Sequence, residues 1–130
     1  MSQILVDTNV VSYRIKGDSR GPLYDRHLAG YRPLVSFMTP AEMYRWAVTH
    51  RWGEPRIGEL RARLNEYVVI PYDDEIAWQW ATVSSIPGRP MEPGDAWVAA
   101  AALRHNLPLV THNRRHFDHV PGLTVISEAP

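Results

Sequence analysis

Four oxygen-bearing side chains lie where a predicted strand ends or a predicted helix begins: Asp7, Glu42, Asp95 and Asn113. Taken alone, each acid has a structural explanation. Asp7 could end a strand and cap a helix, Thr39 and Glu42 match a capping box, and Asp95 could be an N-cap. Together they could hold Mg²⁺, which prefers oxygen ligands. Grouped carboxylates repel one another, and a divalent cation that relieves this repulsion also activates water for attack on a phosphodiester.

The elements that must position these side chains alternate between strands and helices. Continuous apolar runs of this kind are typical of parallel strands covered on both faces, and helical periodicity lies between them. We therefore predict an α/β fold, a parallel sandwich. The predicted strands are Ile4–Val6, Leu34–Phe37, Val68–Ile70, Leu107–Val110 and Leu123–Ile126.

The predicted topology suggests where the polar side chains meet. In open parallel sheets, sites form beyond the carboxyl ends of the strands. Asp7 follows the first predicted strand, Glu42 lies early in the helix after the second, and Asn113 follows the fourth. Asp95 begins the Ala-rich helix before that fourth strand. We expect these residues to share one rim of the sheet.

Composition limits the classes of function. The 130 residues predict a single domain spanning residues 1–130. The 14 basic and 14 acidic residues cancel, so a nucleic acid would have to meet a local basic patch. The absence of cysteine excludes disulfides and zinc thiolate sites. With no apolar run of membrane length and no signal peptide, we expect a soluble protein of the cytoplasm.

Four separated motifs carry a family resemblance: LVDTNVV, TPAEM, PGDAWVAAAA and LVTHNRRHFDHVPGLTVI. In this order they resemble PIN-domain ribonucleases, and above all the VapC toxins of bacterial toxin–antitoxin pairs. The resemblance extends from Ile4 to Ile126. It implies a PIN-like three-layer α/β/α sandwich with a four- to five-stranded, mainly parallel sheet. It also implies endonucleolytic cleavage of RNA at an acidic site that depends on Mg²⁺ or Mn²⁺.

The same resemblance assigns roles to residues and implies partners. By matching motif, Asp7, Glu42 and Asp95 would bind the metal, and Asn113 would complete the catalytic group. The implied partners are an RNA substrate, a VapB-like antitoxin whose C-terminal segment covers the acidic rim, and a second copy of the toxin in a homodimer. Side chains of the first and last motifs would shape the site or hold water: Thr8, Asn9 and Thr111.

This sequence departs from the family pattern in its last motif. Many relatives carry an acid at the position of Asn113, or an Asp three residues later, where this chain has His116. The departure predicts weaker binding of a second metal, and it motivates the alternative of a PIN-fold binding module with weak or lost turnover. An aspartyl-nucleophile phosphatase ranks last, because the second acid that such enzymes need is replaced by Asn9.

Basic residues form two candidate surfaces for RNA phosphates. Arg114 and Arg115 lie in the HNRRHFDH segment beside the predicted acidic rim, where charge-assisted contacts would position an RNA backbone. A solvated loop is the alternative. Arg14, Lys16 and Arg20 form the second candidate patch.

Several of the five tryptophans lie in predicted helices. Trp46, Trp78 and Trp97 are most simply explained as core residues. Trp52 stands at a helix end beside Gly53, where core packing or a dimer contact is the favoured explanation and base stacking the alternative.

Overall fold

In the computed structural model, which describes residues 2–130, strands and helices alternate along the chain. The five strands are β1 (Gln3–Val6), β2 (Arg32–Ser36), β3 (Val68–Ile70), β4 (Leu109–Val110) and β5 (Val125–Ile126). The helices are α1 (Thr8–Lys16), α2 (Asp25–Leu28), α3 (Met38–Thr49), α4 (Glu54–Leu64), α5 (Asp74–Ser84) and α6 (Pro93–His105). Short 3₁₀ helices occupy Gly21–Tyr24 and Arg114–His116. All five predicted strands are confirmed, with ends that differ by up to two residues.

The strands form one sheet in the order β3-β2-β1-β4-β5, and every neighbouring pair is parallel. The chain builds outward from β1 to β3 and then crosses back to place β4 on the other side of β1. Strand order therefore reverses between β1 and β4, and a crevice opens at such a reversal beyond the carboxyl ends of the strands.

Alternate residues of each strand face two separate hydrophobic layers. In β1, Ile4 and Val6 join one buried cluster, while Leu5 joins the other. The first cluster packs the sheet against α1 to α4, and the second packs it against α5 and α6. Five consecutive small or branched residues of α6, from Val98 to Ala102, are fully or almost fully buried, so this helix lies close to the sheet. The predicted three-layer α/β/α sandwich is confirmed.

The structure corrects two predicted helix caps. Thr39 is not an N-cap, because α3 begins at Met38 and the capping position belongs to Phe37. The threonine instead lies buried inside the first turn. Asp95 is not an N-cap either, because α6 begins two residues earlier and follows Glu92. Neither side chain caps a helix, so both can take part in a functional site.

The tryptophans divide between core and surface. Trp97 is partly buried and stacks on Trp80 with ring centroids 5.1 Å apart, as expected for a core residue. Trp46 and Trp52 are partly buried and pack edge to face. The prediction for Trp78 is wrong, because 72% of this residue is exposed on α5. Within residues 2–130, no helix has the length and apolar character needed to cross a membrane.

Candidate functional site

A cavity of about 340 Å³ opens at the carboxyl end of β1, where the strand order reverses. The four oxygen-bearing residues singled out from the sequence all line it: Asp7, Glu42, Asp95 and Asn113. They come from the end of β1, from α3, from the first turn of α6 and from the segment after β4. We call this cavity the acidic pocket. The parallel topology thus brings together residues that are separated by up to 106 positions.

Asp7 is the buried floor of the acidic pocket, with 5% of its surface exposed. Its Oδ1 accepts a hydrogen bond from the Thr8 N–H at 2.8 Å, and its Oδ2 accepts one from the Thr111 hydroxyl at 2.7 Å. Burial, together with the smaller effect of the neighbouring acids Asp95 and Glu42, nevertheless raises the pKa of Asp7 from its ordinary value of 3.8 to about 6. Asp7 therefore caps α1 and also serves the pocket, so its two interpretations are compatible.

Glu42 approaches the pocket from the second turn of α3. The Thr8 hydroxyl donates to Glu42 Oε1 at 3.0 Å, and Thr39 Oγ1 lies 2.8 Å from the same hydroxyl. Since Thr8 uses its proton on the carboxylate, Thr39 donates to Thr8, and the two hydroxyls form a relay that orients Glu42. Its other oxygen, Oε2, lies 4.0 Å from the place where a Cβ on Gly94 would stand. Partial burial of the carboxylate raises the pKa of Glu42.

Asp95 faces the pocket from the N-terminal turn of α6, where the helix dipole favours a negative charge. Its Oδ2 lies 2.8 Å from His116 Nδ1, and the contact is a salt bridge when the imidazole is protonated. Nothing in the sequence pattern indicated this pair. His116 thus holds the neighbouring carboxylate at the rim of the pocket.

The polar side chains of the first and last motifs connect β1 to β4. Thr111 Oγ1 accepts from the Asn113 N–H at 3.0 Å while it donates to Asp7. Asn9 Oδ1 accepts from the His112 N–H at 3.3 Å. The Asn9 Nδ2 group is buried and has no hydrogen-bond partner among residues 2–130. Asn9 itself lines the acidic pocket.

Two predicted phosphate contacts lie outside the acidic pocket. Arg114 donates to the Val125 carbonyl at 3.3 Å, and Arg115 lines neighbouring cavities beside His116. The pocket wall is instead completed by Lys16, which belongs to the second candidate patch, and by residues that the sequence did not single out for the site. The latter are Ser12, Met43 and Trp46. Ser12 and Trp46 follow Thr8 and Glu42 by four residues on α1 and α3, and this helical spacing was the available signal.

The donor set of the acidic pocket suits a hard divalent cation. It offers three carboxylates and the amide carbonyl of Asn113, all of them oxygen ligands. In the described residues 2–130, no three His, Asp or Glu side chains already stand close enough together to hold an ion. The carboxylates share the cavity without forming a closed cluster. The raised pKa of Asp7 reflects burial and like-charge crowding that a cation in the pocket would offset.

Comparison with known proteins gives consistent results. The family model of the PIN domain matches residues 4–123. The chain is 30% identical over 125 residues to Ribonuclease VapC1 of Haemophilus influenzae strain R2866, with 92% of each protein covered. It is 25% identical to the tRNA(fMet)-specific endonuclease VapC of Shigella flexneri, with 95% of this chain and 96% of the relative covered. The solved structure of VapBC-1 from nontypeable Haemophilus influenzae superposes with a TM-score of 0.77 at 25% identity, over 95% of this chain and 96% of the other.

Proposed function

Because the chain belongs to the PIN-domain family, in its VapC type, we propose that it is an RNA endonuclease and the toxin of a toxin–antitoxin pair. The observation that carries this proposal is the convergence of Asp7, Glu42 and Asp95 on one pocket at the carboxyl rim of the sheet. A metal-dependent nuclease needs such a group of acids, because they bind the cation beside the scissile phosphate.

The carboxylates of Asp7, Glu42 and Asp95 would hold Mg²⁺ or Mn²⁺, with the Asn113 carbonyl as a further oxygen ligand. When bound, the cation would neutralise charge on the scissile phosphate and lower the pKa of a water molecule. Asp7 supports this role because its burial makes a lone negative charge costly. The hydrogen bonds from Thr111 and Thr8 hold the Asp7 carboxylate in one orientation.

Other side chains of the pocket would act on the RNA directly. The Asn9 amide has an unpaired buried donor that a turn of the side chain would present to a phosphate oxygen. Lys16 is the one basic residue among those lining the pocket, so it would contact the phosphate backbone near the cut. The relay from Thr39 through Thr8 would keep Glu42 turned into the pocket rather than toward solvent.

The partners follow from the same family membership. We propose that a VapB-like antitoxin controls this chain, since the matched relatives include a VapBC pair. An antitoxin segment that covers the acidic pocket would have to present a positive charge to three carboxylates. We further propose that the toxin acts in the cytoplasm, where its RNA substrate is found. The homodimer stays a prediction that analytical ultracentrifugation would test.

The proposal is tested with purified protein and RNA. We expect cleavage of single-stranded or transfer RNA in Mg²⁺ or Mn²⁺, and no cleavage in EDTA. Asp7→Asn should abolish cleavage, while Asp74→Asn, which changes an acid on the exposed surface of α5, should not. Loss of growth arrest on expression should follow the same pattern. Failure of excess Mn²⁺ to give any cleavage would favour the binding-module alternative that Asn113 and His116 motivate.

A further inference from the structure

A second and larger cavity of about 590 Å³ lies beside the acidic pocket, between α1, α3 and α4. Its volume falls in the range of pockets that take small molecules, about 300–1,000 Å³. Two indole rings form part of its wall, from Trp46 on α3 and from Trp52 just before α4. Ile15 and Leu60 add aliphatic surface. We call it the tryptophan cavity.

The tryptophan cavity shares a wall with the acidic pocket. Lys16 and Trp46 line both of them. Trp46 follows Glu42 by four residues on α3, which places it about 6 Å further along the helix axis. A molecule held at the carboxylates by one group can therefore place the adjoining group against Trp46 without leaving the protein surface.

The charge of the tryptophan cavity is opposite to that of the acidic pocket. Lys16, Arg56 and Arg63 line it, against the single acid Glu59. The whole chain is neutral, so this is a local concentration of positive charge. A ligand that is both aromatic and anionic complements a wall made of indoles and cations.

The cations already rest on the indole faces. Lys16 Nζ lies 3.4 Å from the centroid of the Trp46 ring, and Arg56 Cζ lies 3.8 Å from that of Trp52. The two indoles meet edge to face with centroids 4.6 Å apart, so a base that stacks on either ring must take the place of the cation that covers it. A base stacked on an aromatic ring is held more strongly than an exposed cation over the same ring. A base that enters the cavity can thus displace Lys16 or Arg56 from its ring. The displaced cation can then pair with a phosphate of the same RNA.

We propose that the tryptophan cavity is a subsite for one unstacked nucleobase of the RNA, next to the phosphate that is cut. This inference rests on the proposed function. An apolar segment of a partner protein is the competing occupant. The wall shared with the acidic pocket and the excess of basic residues favour a nucleotide, because single-stranded RNA is read by bases stacked on aromatic or guanidinium planes.

The test measures binding separately from cleavage. In the Asp7→Asn protein, which keeps the cavity, binding of a short fluorescent single-stranded oligoribonucleotide is followed by anisotropy in Mg²⁺. Abasic residues are placed at each position in turn. At one position we expect the Kd to rise about 10- to 100-fold, the effect of losing one stacked base. Adding Trp52→Leu should raise the Kd of the intact oligonucleotide similarly and remove the sensitivity to that abasic position.

Control variants separate stacking from folding. Trp52→Phe should restore most of the affinity, since a phenyl ring still stacks. Trp78→Leu should change nothing, because this tryptophan is exposed on α5 and does not line the cavity. Arg56→Gln, at an exposed side chain, should weaken binding with no change in thermal unfolding.

Several results would overturn the subsite. One is a folded Trp52→Leu protein that binds the intact oligonucleotide as tightly as its parent. Another is undiminished sensitivity to the abasic position in that variant. Loss of binding to a protein antitoxin, with RNA binding intact, would assign the cavity to the partner. Absence of cleavage by the unmutated protein, with the Trp52 dependence of binding intact, would count against the proposed function and leave the subsite standing.

Discussion

Replacing Asp7 by Asn should stabilise the metal-free protein while it abolishes activity. The reason is that the native fold holds this carboxylate 95% buried, at a pKa of about 6 instead of 3.8. An acid whose pKa rises on folding binds its proton more tightly in the folded state. The burial of Asp7 therefore leaves the free energy of unfolding unchanged below pH 3.8 and lowers it progressively as the pH rises to 6. Above pH 6 the reduction is constant.

The magnitude follows from the two pKa values. Each tenfold change in a proton equilibrium is worth about 1.4 kcal/mol, so the charged Asp7 lowers the free energy of unfolding by about 3 kcal/mol at pH 8. Asn keeps an oxygen for the Thr8 N–H but has no acceptor for the Thr111 hydroxyl, a loss of about 1 kcal/mol. At pH 8 we therefore expect Asp7→Asn to raise the free energy of unfolding by about 2 kcal/mol.

Urea unfolding in EDTA at pH 8 and pH 4 measures this gain. At pH 4 the Asp7 carboxyl is protonated in the folded protein, so the advantage of Asn should vanish. Asp74→Asn, on the exposed surface of α5, should change stability by less than about 1 kcal/mol at either pH. Mg²⁺ at ten times its Kd should stabilise the unmutated protein by about 1.4 kcal/mol and Asp7→Asn by much less. Equal stability of the two proteins at pH 8, or the same difference at both pH values, would refute the reasoning.

Three further outcomes are expected. Thr111→Val should lower the free energy of unfolding by about 1–3 kcal/mol, because it leaves a buried carboxylate oxygen unpaired; unchanged urea unfolding would contradict this. Gly21→Ala should lower it by about 1–3 kcal/mol, since the new Cβ would stand 3.1 Å from the Tyr13 carbonyl oxygen; a thermal scan that shows no loss would count against it. His116→Asp should lower the Mn²⁺ concentration for half-maximal RNA cleavage, as it adds a carboxylate beside Asp95; an unchanged metal requirement would rule out that role.

The sheet and the acidic pocket follow from the sequence because both rest on strong, long-range regularities. Continuous apolar runs such as Ile4–Val6 must be buried on both faces, and this demands parallel strands between helices. Parallel strands end at one rim, so polar residues that follow them meet there. The positions of Asp7 and Asn113 could be predicted without knowledge of any side-chain contact.

The features that the sequence did not indicate depend on local packing. The capping pattern at Thr39 is a common short motif, and a helix that starts at Met38, two residues before the expected Pro40, turns the expected cap into a buried hydroxyl. The exposure of Trp78 depends on which face of α5 meets the sheet, and the apolar residues of that helix lie on more than one face. The pair between His116 and Asp95 joins a loop to the start of a helix, 21 positions apart in the sequence. Hydrophobic periodicity does not predict a side-chain contact of this kind.

The crossing of the chain from β3 back to β4 sets the order in which the protein can become active. Asp7 is synthesised early, but hydrogen-bond partners of its backbone and side chain come much later in the chain. Its backbone N–H donates to the Val110 carbonyl at 2.9 Å, and its side chain accepts from the Thr111 hydroxyl. Contacts between such distant residues form late, because the intervening chain must first be closed into a loop. Until β4 leaves the ribosome, one edge of β1 has no partner and the floor of the acidic pocket stays open to water. A nascent chain therefore cannot complete the acidic pocket until β4 has been made and has left the ribosome.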